Sequence, residues 1–309
     1  MNLPKLQMGL HPTLRALLAR TFLPTMLVAS VCAYAFAPIA GLPAQSAVMA
    51  VGIVTLLLAL LLERLIPYRA EWNLARGDAA TDWLSFAVLA AAAEPLVKAA
   101  MALAVVAVYG HSTGAGAWFA SALPVPVQIV IATLLIELGK YAAHRWHHAS
   151  PALWWLHALH HGSQRLVAVN NFRYHPLNYA INQALSLLPL MLVGAPAEVL
   201  LGYLAITQPI VMMQHANIDL RSGWLNYVLS TPEVHRWHHS NLRAEGDRNF
   251  GNALLLWDHV FGTYKPVRHA ADAPVQIGLY APSHYPARAG YAQQLLSMFT
   301  PACCKAGAA

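Results

Sequence analysis

Four apolar stretches, each about as long as a membrane-spanning helix, constrain this chain more than any other feature of its sequence. A helix needs roughly 20 residues to cross the roughly 30 Å hydrocarbon core of a bilayer. A fifth apolar region, at about 178–213, is interrupted by Gly194 and Pro196, which predicts a helical hairpin. The sequence therefore predicts an all-α integral membrane bundle of four transmembrane helices plus an apolar helical hairpin. The four long stretches lie at about 22–40, 46–63, 83–108 and 123–142.

The distribution of charge supports the same class of fold. Of the 309 residues, 58% are hydrophobic and only 10% are charged, whereas soluble domains carry about 25% charged residues. Lys and Arg precede the first stretch, lie between the second and third, and follow the fourth, and the other loops lack them. The positive-inside rule then places both termini and the histidine clusters in the cytoplasm, and we expect a multi-pass protein of the bacterial inner membrane.

Two other interpretations of these features are less well supported. The net charge of +6 does not indicate a nucleic-acid partner, because the basic residues form no stripe or tail and no nucleic-acid motif occurs. The first stretch, with Arg15 and Arg20 before it, has a cleaved signal peptide as its alternative. It is longer than a typical signal sequence, and a second apolar stretch follows directly, which favours a transmembrane helix.

Three cysteines fit no disulfide framework. Cys32 lies in the first apolar stretch, and Cys303 and Cys304 lie near the C-terminus. An odd number of cysteines without a CxxC spacing predicts reduced thiols in a cytoplasm-facing or membrane setting. A lipidated or redox-active Cys303–Cys304 pair is the alternative that the sequence leaves open.

Histidine is the residue type that points to chemistry. The chain has 16 histidines, and 12 of them fall between His144 and His259. One pair has HxxxH spacing and two triplets have HxxHH spacing, so on helices each set turns two imidazoles to one face, within reach of one metal. Neutral imidazole suits iron, and two metals would use about eight to ten such ligands. The eight predicted ligands are His144, His148, His157, His160, His161, His235, His238 and His239.

Two of the remaining histidines are predicted as additional ligands. His175 precedes a proline, and His215 lies where the hairpin ends. The alternative for both is a hydrogen bond to a carboxylate or backbone group beside the site. His147 points away from His148 on a helix and is not predicted as a ligand. The isolated histidines are expected at the surface or membrane interface: His11, His111, His269 and His284.

The order and spacing of these motifs resemble the fatty acid hydroxylase / sterol desaturase superfamily of integral membrane proteins over roughly 80–265. The family's HxxxH element looks like His144 to His148, and its two HxxHH elements look like 157–161 and 235–239. Three positions depart from the usual pattern, with Glu137 for Asp, Ala142 for Trp and His259 for Arg. Further matching elements are Asn171, Arg173 with His175 and Pro176, His215 with Asn217, Asn249 with Gly251, and Trp257 with Asp258.

The resemblance implies a four-helix membrane bundle with a cytosolic helical cap that carries the histidine clusters. It also implies a di-iron centre that uses O₂ as co-substrate to hydroxylate or desaturate a lipid. No cytochrome b5-like domain is evident in the chain, so we expect a separate electron donor of the cytochrome b5 or ferredoxin/reductase kind. The implied residues that hydrogen-bond around the metal ligands are Glu137, Asn171, Asn217 and Asp258.

The same resemblance implies three segments. Residues 1–82 form an N-terminal transmembrane pair with a cytoplasmic loop, 83–265 form the catalytic domain, and 266–309 form a C-terminal cytosolic tail. Two other functional classes stay open at this point. A zinc-dependent membrane hydrolase would also use histidine, but no carboxylate ligand is conspicuous. A metal transporter or sensor would place its ligands near the bilayer midplane rather than at the ends of the spans.

Overall fold

The computed structural model describes residues 10–109, 119, 122–267, 273–274 and 276–304. Within these ranges the regular secondary structure is helical, and three isolated β-bridges are the exception. Four helices are long and apolar enough to cross a membrane, which confirms the predicted all-α class with four spans. Of the isolated histidines, His11 and His284 are exposed as expected, and His111 and His269 lie outside the described residues.

The membrane-spanning helices differ from the predicted stretches mainly at their ends. The first begins well before the predicted position, because Arg15 is accommodated within the helix by contacts to Pro67 O and to Asp219. The third span is continuous over 79–108 and contains a π-helical turn at Leu89–Ala93. The five α-helices of the spans are α1 (Pro12–Phe36), α2 (Ala44–Leu65), α3 (Ala79–Val88), α4 (Glu94–Tyr109) and α5 (Val125–Ala149).

A sharp turn at Ser150 separates α5 from the next helix, α6 (Pro151–His161). A residue before proline is driven out of the helical region by the proline ring, and Ser150 is accordingly extended, with φ −105° and ψ 125°. Pro151 then occupies the first turn of α6, where its missing N–H costs nothing. The turn brings the histidines of α6 back towards the end of α5.

The predicted apolar hairpin is present. Its first arm consists of α7 (Pro176–Ser186) and α8 (Leu188–Leu192), and its second arm is α9 (Ala197–Met213). Gly194 has φ +76°, a conformation that glycine adopts without steric cost, and Pro196 precedes the second arm. Helix α9 lies against α1, α2 and α5, and a Cβ at Gly202 would collide with Ile129 of α5.

Short helices and loops after the hairpin form the rest of the structure. The segment 276–304 packs against α6, and Trp155 donates a hydrogen bond to Ser297 over 2.9 Å. The described part of this segment consists of loops and short helices. These last helices are α10 (Leu225–Val228), α11 (Pro232–His238), α12 (Arg243–Gly246), α13 (Leu256–Val260) and α14 (Tyr291–Leu296).

Buried charged side chains lie at one end of the helical bundle. Glu63, at the end of α2, accepts hydrogen bonds from the backbone N–H groups of Ala168 and Asn217. Asp82, at the start of α3, pairs with Arg165 and Arg173. Buried charges are tolerated only when they are paired and hydrogen-bonded. These contacts therefore fix the loops that connect α6 to α7 and α9 to α10 onto the ends of the spans.

The cysteines differ in their surroundings. The sulfur atoms of Cys303 and Cys304 lie next to each other, and Cys32 is a free, exposed thiol. The redox-active alternative for the C-terminal pair therefore stays open.

Candidate metal centre

Helix α5 continues beyond its apolar part and presents two of the predicted ligands. His144 and His148 lie one helical turn apart, with ring centroids 5.3 Å from each other. The spacing of four residues puts both rings on one helix face. The expectation that the fourth span extends past the apolar stretch to carry the HxxxH pair is confirmed.

Helices α6 and α11 each carry an HxxHH triplet, and the members of each triplet are divided between two groups of histidines. Thr231 caps α11 by accepting from Val234 N, and Pro232 fills its first turn, so the helix begins just before its triplet. In α6, His157 and His161 belong to one group of histidines and His160 belongs to a second group. In the α11 triplet, His238 belongs to the first group, and His235 and His239 belong to the second. The five-histidine group comprises His144, His148, His157, His161 and His238. The four-histidine group comprises His160, His215, His235 and His239.

In the five-histidine group the Nε2 atom of His157 lies between two others. It is 3.0 Å from Nε2 of His144 and 3.2 Å from Nε2 of His161. Two nitrogens bound to one metal at about 2.1 Å lie about 3.0–3.4 Å apart for octahedral to tetrahedral angles. The observed spacing therefore fits a shared metal ion.

The four-histidine group repeats this arrangement. Nε2 of His235 is 3.1 Å from Nε2 of His215 and 3.0 Å from Nε2 of His239. His160 completes the group, with its ring centroid 4.6 Å from that of His215. The two groups touch where the rings of His161 and His239 stack, with centroids 4.3 Å apart.

The protonation state of these rings suits metal binding. Burial lowers the pKa of His157, His161 and His235 well below that of free imidazole, and it lowers the pKa of His160 to about 3. These imidazoles are therefore neutral near pH 7 and offer lone pairs. Nε2 of His148 is buried without a hydrogen-bond partner among the described residues, as expected for an atom that ligates a metal. The donor set thus fits two metal ions that prefer nitrogen ligands.

Hydrogen bonds to the Nδ1 atoms orient the rings of the five-histidine group. His148 contacts Asp247 at 3.0 Å and the hydroxyl of Tyr280 at 3.2 Å. His157 contacts the amide oxygen of Asn178 at 3.2 Å. His144 donates to the carbonyl of Phe250 and His238 to that of Arg248, over 2.8 and 3.0 Å. An acceptor at Nδ1 fixes the proton there and leaves Nε2 free to bind a metal.

The four-histidine group has fewer such contacts. His215 donates from Nδ1 to the amide oxygen of Asn170 over 3.0 Å. The Nδ1 atoms of His160 and His235 have no hydrogen-bond partner among the described residues. The sequence points to Asn171 at this place, but its side chain donates to Val211 O and contacts no ligand. Asn170 was missed because register within the short 3₁₀ segment Ala168–Phe172 has no readable periodicity.

The other three residues implied to hydrogen-bond the ligands hold loops instead. Glu137 accepts from the backbone N–H groups of Ala253 and Leu254. Asn217 bonds the backbone of Arg69 through both its amide atoms. Asp258 accepts from the N–H groups of Phe250 and Gly251, and so positions the carbonyl to which His144 donates. Glu137, Asn171, Asn217 and Asp258 thus bond backbone groups in the described structure, and their role around the metal ligands stays a prediction.

The two predicted additional ligands have different outcomes. His215 lies within the four-histidine group, next to His235. His175 lies in neither group, because its Nδ1 accepts from Leu177 N and caps α7, while its Nε2 faces the carbonyl of Leu295. The prediction of His175 as a ligand is not supported. His147 is also outside both groups, as expected.

A small cavity of about 30 Å³ opens between the two groups. It is bordered by His144 and His157 on one side and by His160 and His235 on the other. The remaining lining residues are Lys140, Tyr174, Asn182, Gln214, Gly251 and Asn252.

Comparisons with known proteins agree with this geometry. Residues 129–263 match the family model of fatty acid hydroxylases. An ornithine lipid hydroxylase from Rhizobium tropici is 36% identical over 219 residues, which are 68% of this chain and 64% of that protein. Human alkylglycerol monooxygenase is 30% identical over 152 residues, which are 49% of this chain and 33% of that protein. The alkylglycerol monooxygenase of zebrafish (Danio rerio) is 28% identical over 144 residues, which are 44% of this chain and 30% of that protein. The chain thus spans less than two thirds of each of these relatives, and no solved structure matches.

Proposed function

We propose that this chain, whose residues 129–263 match the fatty acid hydroxylase family model, is an O₂-dependent di-iron oxidoreductase that hydroxylates a membrane lipid. The overall reaction is R–H + O₂ + 2 e⁻ + 2 H⁺ → R–OH + H₂O, in which O₂ takes two electrons from the lipid C–H bond and two from an external donor. Desaturation of the same lipid, with loss of two hydrogens, is the variant that uses the same site. The similarity to an ornithine lipid hydroxylase and to alkylglycerol monooxygenases supports a lipid substrate.

The observation that carries this proposal is the pair of adjacent, buried groups of neutral imidazoles. Iron held there would supply the redox chemistry that activates O₂ for attack on an unactivated C–H bond. The protein's residues hold the metals in two groups, orient the rings through Asn178, Asn170 and Asp247, and exclude bulk water by burial.

Two other classes fit the geometry less well. A zinc hydrolase needs a group that activates water, and neither histidine group includes a carboxylate. A transporter or sensor would be expected to bind its ion near the bilayer midplane. Here the ligands lie at the ends of α5 and α9 and in α6 and α11, beyond the apolar stretches.

We also propose that a separate electron donor, of the cytochrome b5 or ferredoxin/reductase kind, binds at the histidine end of the bundle. A cavity of about 430 Å³ at this end is lined by Arg69, Arg76, Gly162 and Gly278. Gly162 directly follows His161 in the chain, and Gly278 N donates to the backbone carbonyl of His239 over 3.0 Å. The cavity therefore lies behind the stacked pair that joins the two groups. Its lining has two arginines and one glutamate, Glu71, and this net positive charge suits an acidic partner.

The topology and segment boundaries are part of the same proposal. Both termini and the histidine groups face the cytoplasm of a bacterial inner membrane, in accordance with the distribution of Lys and Arg. The segments 1–82, 83–265 and 266–309 are the transmembrane pair, the catalytic domain and the tail. The start of α1 and the end of α2 lie at the histidine end, as Arg15 and Glu63 show by their contacts with the 217–219 segment.

The test is to purify the protein in detergent, measure iron per chain, and follow membrane lipids by mass spectrometry with and without O₂ and reductant. We expect about two irons per chain and a lipid product heavier by one oxygen. A chain that holds one zinc and changes no lipid would refute the proposal.

Variants sharpen this test. His160→Ala should abolish product formation while the protein remains inserted in the membrane. The matched control is His175→Asn, which removes a histidine outside both groups and keeps a residue that caps helices well. It should retain both metals and the activity.

A further inference from the structure

The third membrane-spanning helix is the least buried of the four. Only 11% of its apolar window is buried within the structure, whereas the other three are buried by 28% to 39%. Its buried residues include Leu89, Ala93 and Met101, and the hairpin helices that α4 contacts are α7 and α8. The other side of α4 is open, with Leu96 and Leu103 exposed by 68% and 69%. A wide surface of this span therefore faces the surroundings of the bundle.

An exposed charged pair lies near the middle of this span. Glu94 is 15 residues from Ala79 and 14 residues from Val108, the two ends of the span, and it pairs with Lys98 one helical turn later. The side chains of Glu94 and Lys98 are 40% and 61% exposed. No other charged side chain of the described spans is both exposed and this far from a helix end. At 1.5 Å per residue Glu94 lies about 21 Å from either end, close to the midplane of a bilayer that the span crosses.

Lipid tails alone do not satisfy polar groups at this depth. Ionised side chains within spans are rare and face protein or a water-filled cavity. A lysine near a membrane surface can extend its ammonium to the headgroups, but here that would leave the Glu94 carboxylate unpaired. Pro95 adds a second unmet group, because it has no N–H to donate to a carbonyl of the π-helical turn Leu89–Ala93 before it. Polar groups freed in this way are normally satisfied by a neighbouring helix.

We propose that this face of α4 binds a second copy of the chain, so that the protein is a dimer in the membrane. Copies of one chain share one orientation in a bilayer, so the two α4 helices run parallel about a two-fold axis along the membrane normal. Glu94 of each copy then lies within one helical turn of Lys98 of the other. The inference does not depend on the proposed function.

Charge and shape both favour this occupant. The Glu94–Lys98 pair is complementary to itself under a two-fold axis, whereas lipid tails or an uncharged helix would leave both groups unmatched. The residues one turn before and one turn after the pair on this face, Ala91 and Ala102, are exposed and small. Small residues let the backbones of two membrane helices approach closely, which brings the four charges of the two copies within reach of one another.

Cysteine crosslinking in membranes tests the contact. The full chain carries serine in place of its three native cysteines, and Ala102→Cys adds a thiol one turn beyond Lys98. Oxidation with copper phenanthroline should then give a species of twice the mass of one chain. Ile53→Cys is the matched control, because Ile53 is 58% exposed on α2, a different span. A crosslinked fraction no greater for Ala102→Cys than for Ile53→Cys, or a species of another mass, would overturn the dimer.

Charge variants decide whether the pair acts between copies or only within one. Glu94→Lys alone makes the face basic and Lys98→Glu alone makes it acidic, so each variant should repel its own copies. When the two variants carry different tags and Ala102→Cys and are produced together, they should crosslink to each other about tenfold more than either does to itself. The pair within one chain stays broken in this mixture, so a purely intramolecular role gives no recovery, and that result would overturn the proposal.

The amount of each variant in the membrane fraction shows whether it inserts. If either variant fails to insert, Glu94→Gln combined with Lys98→Met removes both charges at similar side-chain size. Its crosslinked fraction with Ala102→Cys should fall several-fold, because the four-charge contact is lost. An unchanged fraction in this neutral variant would overturn the assignment of the interface to Glu94 and Lys98.

Discussion

The five-histidine group takes two of its members from the membrane-spanning helix α5, whereas the four-histidine group takes none from the four spans. The first group is also more fully supported, because Asp247, Tyr280 and Asn178 contact the Nδ1 atoms of His148 and His157. The second has one such side-chain contact, from Asn170. A carboxylate that hydrogen-bonds an imidazole makes it a stronger ligand. The comparison indicates that identical HxxHH motifs can contribute to two sites of unequal metal affinity.

The largest expected effect comes from the central histidine of each group. His157→Ala and His235→Ala each remove the Nε2 atom that lies between two others, and should lower product formation by at least about a thousandfold. Iron per chain should fall from two to one or less in both variants, as measured by metal analysis. If either variant keeps two irons and full activity, that group does not hold a metal.

The next largest effect is expected from removing the buried carboxylate of Asp82, which lies behind the four-histidine group. Asp82 bonds Arg173, which is fully buried and also donates to the carbonyl of Leu159, beside His160. Asp82→Asn leaves this guanidinium without its counter-ion, and should lower the free energy of unfolding by about 3–5 kcal/mol. Thermal unfolding in detergent measures the effect.

The control for that experiment is Asp78→Asn. Asp78 is less buried than Asp82 and pairs with Arg165, which keeps its bond to Asp82 in this variant. Its effect should be clearly smaller. Equal melting temperatures for the two variants would show that the buried pair with Arg173 contributes no more than the outer one.

Two further variants, with a smaller expected effect on iron affinity, distinguish the two histidine groups. Asp247→Asn should weaken iron binding at the five-histidine group by about 10–100-fold, and Asn170→Ala should do the same at the four-histidine group. Competitive titration with a chelator should show one site weakened in each variant and the other unchanged. Loss of both irons in parallel would contradict the assignment of these residues to different groups.

The smallest expected effect is that of Tyr280→Phe. It removes the hydroxyl that contacts His148 and donates to Asp247, and it leaves the hydrogen bond between Asp247 and His148 in place. A loss of about 0.5–1.5 kcal/mol corresponds to a decrease in iron affinity of about 2–12-fold, confined to the five-histidine group. A loss as large as that in Asp247→Asn would mean that the tyrosine, and not the carboxylate, supports this ring.

The sequence predicts the spans and the identity of most candidate ligands, because both depend on local spacing. Apolar length defines the helices, and HxxxH or HxxHH spacing defines which rings share a helix face. The division of each triplet between two groups is not readable from the chain. It depends on the turn at Ser150 and on where α11 lies relative to α6, which are properties of tertiary packing.

The same limit explains the residues that were misplaced or missed. His175 and His215 both stand beside predicted helices, and only packing brings one of them to a metal group while the other caps α7.

The length of α5 has a consequence for the proposed function. Val125 begins this helix and His144 lies 19 residues later, a rise of about 28 Å at 1.5 Å per residue. That is close to the thickness of the hydrocarbon core, so a helix that crosses the bilayer from Val125 would hold the five-histidine group level with the lipid headgroups. For the proposed lipid substrate, a thicker or thinner bilayer would then shift the carbon that meets the site.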